Sequence, residues 1–425
     1  MMQSAGSLRL LHTSDWHLGR TLYGRRRYGE FEAFLDWLAE TLRQQCVDVL
    51  LVAGDIFDTT APSNRAQQLY YRFLCQAANA GCRHVVIVAG NHDSPSFLTA
   101  PQELLRAMNV HVVGSTSEDI AEQVLTLQGP DGEPELIVCA VPYLRDRDIR
   151  QAAAGESVAD KERKLQDGIR EHYDAVARLA EDRRTELGAH LPIVATGHLF
   201  TAGGQTIEGD GVRELYVGSL AHVHASLFSP SFDYVALGHL HVPQKVNDSE
   251  HIRYSGSPLP MGFGEARQRK SLCLVDLAVQ EGQRQTGIEL LEIPVFQRLE
   301  RITGDWPAIA ARLAELVAVG SDAWLEIIYQ GEEIVSDLRE RLDKATEGSA
   351  MEILRVKNSR IAERVLGRMH EQETLDDLDE QEVFERCLDQ HEVSEEQRAD
   401  LRHAYREVLQ SIHEDDAGAL GGTHG

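Results

Sequence analysis

No apolar stretch in this 425-residue chain approaches the roughly 20 residues needed to span a bilayer, so a membrane protein is not expected. The N-terminal residues lack a basic segment followed by a long apolar core, so a secretory signal is not expected either. Cysteine is scarce. The six (Cys46, Cys75, Cys82, Cys139, Cys273 and Cys387) show no Cys-x-x-Cys spacing, and most sit in apolar or helical contexts. The simple reading is reduced, mostly buried thiols in a cytoplasmic protein. No internal repeat is evident. Basic charge is also short: the net charge of −26 argues at first sight against a nucleic-acid binder, because phosphate contacts need Lys and Arg.

The distribution of charge weakens that objection. Between Glu371 and Asp416 there are 17 acidic and 4 basic residues, half of the net excess. The rest is mildly acidic for its length, and bound divalent cations would offset more of it. Arg25, Arg26 and Arg27 form a cluster that could touch a phosphate backbone; a solvated loop before a helix explains it equally well.

What the chain does have is polar residues where packing gives no reason for them. The apolar run 85–89 ends in Gly90-Asn91-His92-Asp93. Other apolar runs end in Asp15 and His17, in Gly54-Asp55 with Asp58 close behind, in Gly197-His198, and in Gly238-His239-Leu240-His241. Such groups are costly to bury unless a metal ion or a phosphate satisfies them.

The length predicts two or three domains. In the first part, strand-like runs (8–11, 47–53, 85–89) alternate with helical patterns (30–45, then 64–80 with Asn64 able to cap it). This alternation predicts an α/β fold, a parallel or mixed sheet with helices on both faces. Strands continue at 136–141, 193–196, 234–237, 252–254 and 271–277, around a charged surface helix over 157–187. After about 279, strand, helix, strand, helix, strand (299–303, 306–317, 323–329, 334–345, 351–356) predict a small α/β domain. Beyond 358 the chain is helical, acidic and poor in aromatics. Its narrow apolar stripes (Val383, Phe384, Leu388; Leu401, Tyr405, Val408, Leu409, Ile412) suit docking on a partner. The tail 417–425 is Gly-rich and expected to be disordered. The expected domains are therefore 1–278, 279–357, 358–416 and the tail.

In open α/β sheets ligands sit outside the carboxyl ends of the strands, and every polar motif falls at such an end. Glycine just before the donor permits the turn that presents it. Two aspartates, one asparagine and four histidines (Asp15, His17, Asp55, Asn91, His198, His239, His241) are more than one octahedral ion needs. Two ions would use them, with Asp55 as the natural bridge. Mixed oxygen and nitrogen ligands suit Mn, Fe or Zn better than Ca or Mg. Two such ions form a clamp for phosphoryl displacement. His92 then reads as a non-ligand that stabilises the transition state or protonates the leaving oxygen, its ring held by Asp93; Asp58 could orient a ligand histidine. A lone Asp-x-His or Gly-His is usually surface polarity, but five motifs in order at strand ends are a strong signal. His222 and His224 have ligand-like spacing without a strand to present them and read as surface residues. His12, inside the first strand, reads as a satisfied core histidine or one that supports a ligand from behind, and His84 reads as structural.

Together these motifs resemble the calcineurin-like metallophosphoesterase superfamily, and within it the nuclease subunits of bacterial ATPase–nuclease complexes. The segments 11–19, 52–59 and 254–258, the chain length, the small middle domain and the C-terminal helices share the likeness. The resemblance implies a sandwich of mixed sheets flanked by helices. It implies one metal on Asp15, His17, Asp55 and His241, a second on Asp55, Asn91, His198 and His239, manganese as the usual metal, and His92 as the catalytic histidine. It further implies a 3′–5′ exonuclease on duplex ends and an endonuclease on single strands and hairpins. The small domain would cap the site, and the acidic helices would bind a coiled-coil ATPase in a heterotetramer-like complex, with a homodimer compatible. At Asp58, archaeal and eukaryotic relatives tend to carry histidine; this chain has the bacterial-type aspartate. The motifs alone also permit a small-molecule phosphodiesterase or phosphatase, and a DNA-end tether with a vestigial site is a third reading.

Overall fold

The structure, a computed structural model, describes residues 7–117, 119–149, 158–188, 190–201, 225–280, 282–331 and 337–358. His222, His224, Cys387, the acidic helices and the Gly-rich tail lie outside the described residues.

Two six-stranded sheets carry the fold. In the first, the spatial order is Gln283–Glu292, Ser271–Gln280, Ser7–Thr13, Val49–Ala53, His84–Val88, Val110–Val113. The last four are parallel, and Ser271–Gln280 runs antiparallel to Ser7–Thr13. In the second, the order is Gln244–Val246, Ser249–Tyr254, Tyr234–Gly238, Ile193–His198, Pro134–Cys139, Val124–Gln128, with a parallel centre.

The sheets face each other. Leu8, Leu10, Val49, Leu51, Val86 and Val88 of the first pack with Leu136, Val138, Val194 and Ala236 of the second in one core. The alternate residues face outward onto helices, as the period of two in a strand requires. Leu11, Leu50, Val52, Val85 and Ile87 meet helices Tyr28–Gln44 and Asn64–Asn79. Ile137, Cys139, Ile193 and Val235 meet helix Val158–Leu187 through Tyr173, Val176, Ala177 and Ala180. Among the described residues each sheet therefore has helices on one face and the other sheet on its second; the expectation of helices on both faces is corrected, and the sandwich is what forms. The strands read as continuous apolar runs because both their faces are buried.

Helix Tyr28–Gln44 follows its apolar period and fully buries Phe31, Phe34, Leu35, Leu38 and Leu42. Each such side chain contributes roughly 1.5–3 kcal/mol. The second helix begins at Asn64, yet its cap is Ser63, whose hydroxyl accepts from the Ala66 N–H at 3.2 Å. The helix Val158–Leu187 is a surface element with a fully buried inner stripe. A third sheet of Leu299–Gly304, Trp324–Tyr329 and Glu352–Asn358 accompanies helices Trp306–Ala318 and Leu338–Thr346. The described residues 7–303, 307–327 and 337–356 belong to one compact unit, and 304–306, 328–331 and 357–358 belong to a second. No helix among the described residues is long and apolar enough to cross a membrane.

Candidate metal centre

The carboxyl ends of the parallel strands from both sheets meet at one place, and the polar motifs meet with them. Strand Ser7–Thr13 leads to Asp15 and His17, Val49–Ala53 to Asp55, and His84–Val88 to Asn91 and His92. From the second sheet, Ile193–His198 ends on His198 and Tyr234–Gly238 leads to His239 and His241. Four of these residues take left-handed backbone: Asp15 (φ 53°), His17 (φ 47°), Asp55 (φ 51°) and His239 (φ 98°). Each costs of order 1–3 kcal/mol and persists only where the surroundings over-determine it, which is common at functional sites. Glycine is needed at two neighbours for space. A Cβ on Gly90 would meet Asp55 Oδ1 at 2.1 Å, and one on Gly238 would meet the Ala53 carbonyl at 1.9 Å.

The donors form two groups that share Asp55. In one, His17 Nε2 lies 3.2 Å from His241 Nε2 and 3.6 Å from Asp55 Oδ2. Asp15 lies within 4.8 Å of both rings' donor atoms, and within the same distance of Asp55 and His198. In the other, Asn91 Oδ1 lies 3.0 Å from His198 Nε2 and 3.1 Å from His239 Nδ1, and His198 Nε2 lies 3.3 Å from Asp55 Oδ2. Imidazole nitrogens facing each other, and one amide oxygen shared by two more, make a poor hydrogen-bond set and a good ligand set. All of these residues except Asn91 are buried, at 4 % exposure or less. Burying this many ionisable groups would cost several kcal/mol per charge without compensation. The donor chemistry fits divalent cations.

Outer partners fix the rings. His198 Nδ1 donates to the Ala53 carbonyl at 2.9 Å, which leaves Nε2 as the inward atom, a lone pair whenever the ring is neutral. His17 Nδ1 faces Asp58 Oδ1 at 3.3 Å, so Asp58 stands where it can orient a ligand histidine. His92 Nδ1 donates to the Asp58 carbonyl at 2.9 Å, and its backbone N–H donates to Asp55 Oδ1 at 2.9 Å. His12 pairs with the Tyr234 hydroxyl, and His84 with the Gln128 carbonyl, so both are structural.

Charge is distributed unevenly. Burial lowers His17 and His241 and takes His239 down to about 3, so these rings are neutral near pH 7. Burial also opposes charge on His198, but Asp55 and then Asp15 overcome it and raise that ring to about 9. Burial raises Asp15 to about 7. Asp55 stays well below the usual carboxylate range despite burial, because His198 and His17 face it. A ligand must be deprotonated, so holding a cation at neutral pH would cost the His198 proton, and below about pH 7 the Asp15 proton too. Apparent Mn2+ affinity is therefore expected to rise about tenfold per pH unit between 7 and 9, and more steeply below 7. Titration calorimetry in buffers of different ionisation enthalpy measures both the affinity and the protons released.

Two expectations are corrected. Asp93 does not hold the His92 ring. Its carboxylate turns inward and accepts the backbone N–H groups of Gly90 (2.8 Å), Phe57 (3.0 Å) and Ile56 (3.1 Å). It ties the 55–58 and 90–93 loops together, and the Asp58 carbonyl takes the ring instead. Arg27 is not available to a phosphate backbone. It is buried, pairs with both oxygens of Glu30 and donates to the Pro260 carbonyl. Arg25 is exposed but bonds Glu352 and lies over the Trp324 ring, whereas Arg26 is exposed. The thiols also divide: Cys82, Cys139 and Cys273 are buried, and Cys46 and Cys75 are exposed. Reading the sequence missed Arg20, which bonds Asp58 Oδ1 at 3.3 Å, and the buried Lys270; neither stands in a motif.

Comparison with known proteins agrees with this geometry. The model of the calcineurin-like phosphoesterases matches residues 8–243, and that of the type 5 capsule protein repressor C-terminal domain matches residues 295–392. The SbcD subunit of the nuclease SbcCD from Escherichia coli K12 is 38% identical over 412 residues, covering 95% of this chain and 98% of that protein. The same subunit from Rhodobacter capsulatus is 34% identical, covering 80% and 84%, and that from Bacillus subtilis is 36% identical, covering 67% and 69%. The chain belongs to the calcineurin-like metallophosphoesterases and, within them, to the family of the SbcD subunit of the nuclease SbcCD.

Proposed function

We propose that this phosphoesterase is a Mn2+-dependent DNA nuclease, a 3′–5′ exonuclease on duplex ends and an endonuclease on single strands and hairpins. It would act with an SbcC-type ATPase in DNA end processing, repair and recombination, in the cytoplasm and at the nucleoid. The observation that carries this reading is the convergence of six metal-type donors around a seventh, the carboxylate of Asp55, at the strand ends of two sheets. Asp15, His17, Asp55 and His241 would hold one cation; Asp55, Asn91, His198 and His239 would hold the other. Two divalent cations there would supply charge neutralisation for an in-line displacement at phosphorus.

The chain's own groups do the rest. Asp55 places a carboxylate oxygen between the two ligand sets. His92 is only half-buried, and its Nδ1–H is committed to the Asp58 carbonyl. Its Nε2 therefore carries a proton only in the cationic ring, the form that can protonate a leaving oxygen. Asp93 keeps the Gly90 turn closed against the Ile56 and Phe57 backbone and so sets where Asn91 and His92 stand.

In this reading residues 1–278, completed by the first-sheet strand Gln283–Glu292, form the nuclease domain, the rest of 279–357 a DNA-capping domain, 358–416 the ATPase-binding region and 417–425 a tail. The partners would be duplex ends, hairpins, single strands and the ATPase, with two nuclease subunits in a heterotetramer-like complex. A chain cut after Asn358 is expected to cleave a small phosphodiester as the full chain does and to lose copurification with the ATPase. The deciding comparison is Mn2+-dependent turnover of hairpin DNA against a model phosphodiester. Preference for the hairpin supports the nuclease, and turnover of the small diester alone would support a small-molecule phosphodiesterase.

A further inference from the structure

The segment Ser255-Gly256-Ser257 lies behind the ligand loops rather than among them. It carries no donor of the metal sets, yet it is buried, and what it touches is the back of those sets. Ser255 Oγ lies 2.9 Å from Ser14 Oγ, and Ser14 donates to Asp15. The Ser257 N–H donates to the His241 carbonyl at 3.2 Å. Gly256 has φ +73°, and a Cβ there would stand 2.7 Å from that same carbonyl, so only glycine permits the approach.

A buried ammonium completes this cradle. Lys270 is 4 % exposed, and its three N–H groups are shared among four acceptors: the His241 carbonyl at 2.9 Å, Ser257 Oγ at 3.1 Å, Gln268 Oε1 at 3.1 Å and Glu265 Oε2. Glu265 is fully buried and also accepts the Met261 N–H at 3.1 Å. A buried ion pair is a weak stabiliser, and apolar residues in its place are often neutral or better. Glu265 neutralises the lysine, but neutralisation does not explain why a lysine is there. The contact that reaches farthest along the chain does: it joins Lys270 to the backbone of His241, 29 residues away. The His241 carbonyl and imidazole share one Cα on a short loop. Holding the first limits where the second can point, and its Nε2 lies 3.2 Å from His17 Nε2.

We propose that Lys270 is a positioning residue for the metal site, holding the carbonyl of His241 so that its ring meets His17, Asp15 and Asp55 as a ligand set. The inference rests on the two-metal reading above. Partners beyond the ligand shell typically change metal affinity by about 10–100-fold when removed.

The test uses the full-length, metal-free protein and Mn2+ alone. Lys270→Met strands the Glu265 carboxylate and costs stability whatever else Lys270 does. The informative variant is therefore Lys270→Met with Glu265→Gln, which removes both charges and keeps the shape. Its melting temperature is expected to return towards the unmodified value. In calorimetric titration, one Mn2+ is expected to bind about 10–100-fold more weakly and the other unchanged. The paramagnetic resonance signal of a coupled Mn pair should weaken in parallel. On a His241→Ala background the same pair of substitutions should cost no further affinity. Unmodified Mn2+ affinities in the double variant would overturn the positioning role, as would a further loss on the His241→Ala background. If the unmodified chain binds fewer than two Mn2+, the two-metal reading fails. The inference then stands or falls on whether the ion it does bind is weakened with His241 present and unaffected without it.

Discussion

Replacing Asp55 by asparagine is expected to remove cleavage and Mn2+ binding together. Asp55 places one carboxylate oxygen beside a histidine of each donor group. Its Oδ2 stands 3.3 Å from His198 Nε2 and 3.6 Å from His17 Nε2, and its Oδ1 accepts the His92 N–H. An amide keeps the shape and loses the charge. Losing the cations forfeits several kcal/mol of charge stabilisation in the transition state, a rate loss on the order of 10³-fold or more. Saturating Mn2+ should raise the melting temperature of the unmodified protein by mass action and leave that of Asp55→Asn unchanged. Thermal melts with and without Mn2+, beside a cleavage assay, read both outcomes. A variant that keeps two ions would remove Asp55 from the bridging position.

His92→Ala is expected to separate what Asp55→Asn joins. Loss of a general acid costs about 10²–10⁴-fold in rate. Because His92 Nδ1 is bound to the Asp58 carbonyl and its ring is half-exposed, metal affinity should change by no more than a few-fold. One observation favours the opposite outcome: a donor atom of His92 lies within 4.8 Å of those of His17 and Asp55, close enough to be a ligand. Calorimetry and single-turnover kinetics on the same preparation decide. A parallel fall in metal affinity and rate would make His92 a ligand rather than an acid.

The candidate site was legible because its signal is local. An apolar run that ends in glycine and then an acid, amide or imidazole cannot be explained by packing, and the strand it ends fixes where the donor stands. Asp55, Asn91, His198 and His239 follow such a glycine at once, Asp15, His17 and His241 stand at the same strand ends without one directly before them, and all seven converge. Asp93 stands at such an end too and points elsewhere. At a tight turn the adjacent side chain can face the ring or the backbone, and only the neighbouring Ile56 and Phe57 N–H groups decide. Arg27 and Lys270 fail for the reverse reason. Each lies in a basic run, 25–27 and 267–270, whose composition gives no sign of burial, while packing buries one member of each.

The helices followed from the 3.6-residue period of Phe31, Phe34, Leu35, Leu38 and Leu42, and the central strands from runs with both faces buried. Strand Gln283–Glu292 did not, because it is an edge strand and nearly all of its residues are exposed or half-exposed, so no apolar run or alternation marks it. Val110–Val113 and Val124–Gln128 are also edge strands, short and only partly buried. That the fold is a two-sheet sandwich could not be read from the alternation of elements. Strands buried by helices on both faces and strands buried by a helix and a sheet have the same apolar pattern.

The most direct measurement is an anomalous difference map from crystals of the full chain soaked in Mn2+. Two peaks about 3.5–4 Å apart are expected. One should lie among Asp15, His17 and His241 and the other among Asn91, His198 and His239, with Asp55 in reach of both. A single peak, or two peaks of which Asp55 touches only one, would contradict the shared two-cation centre.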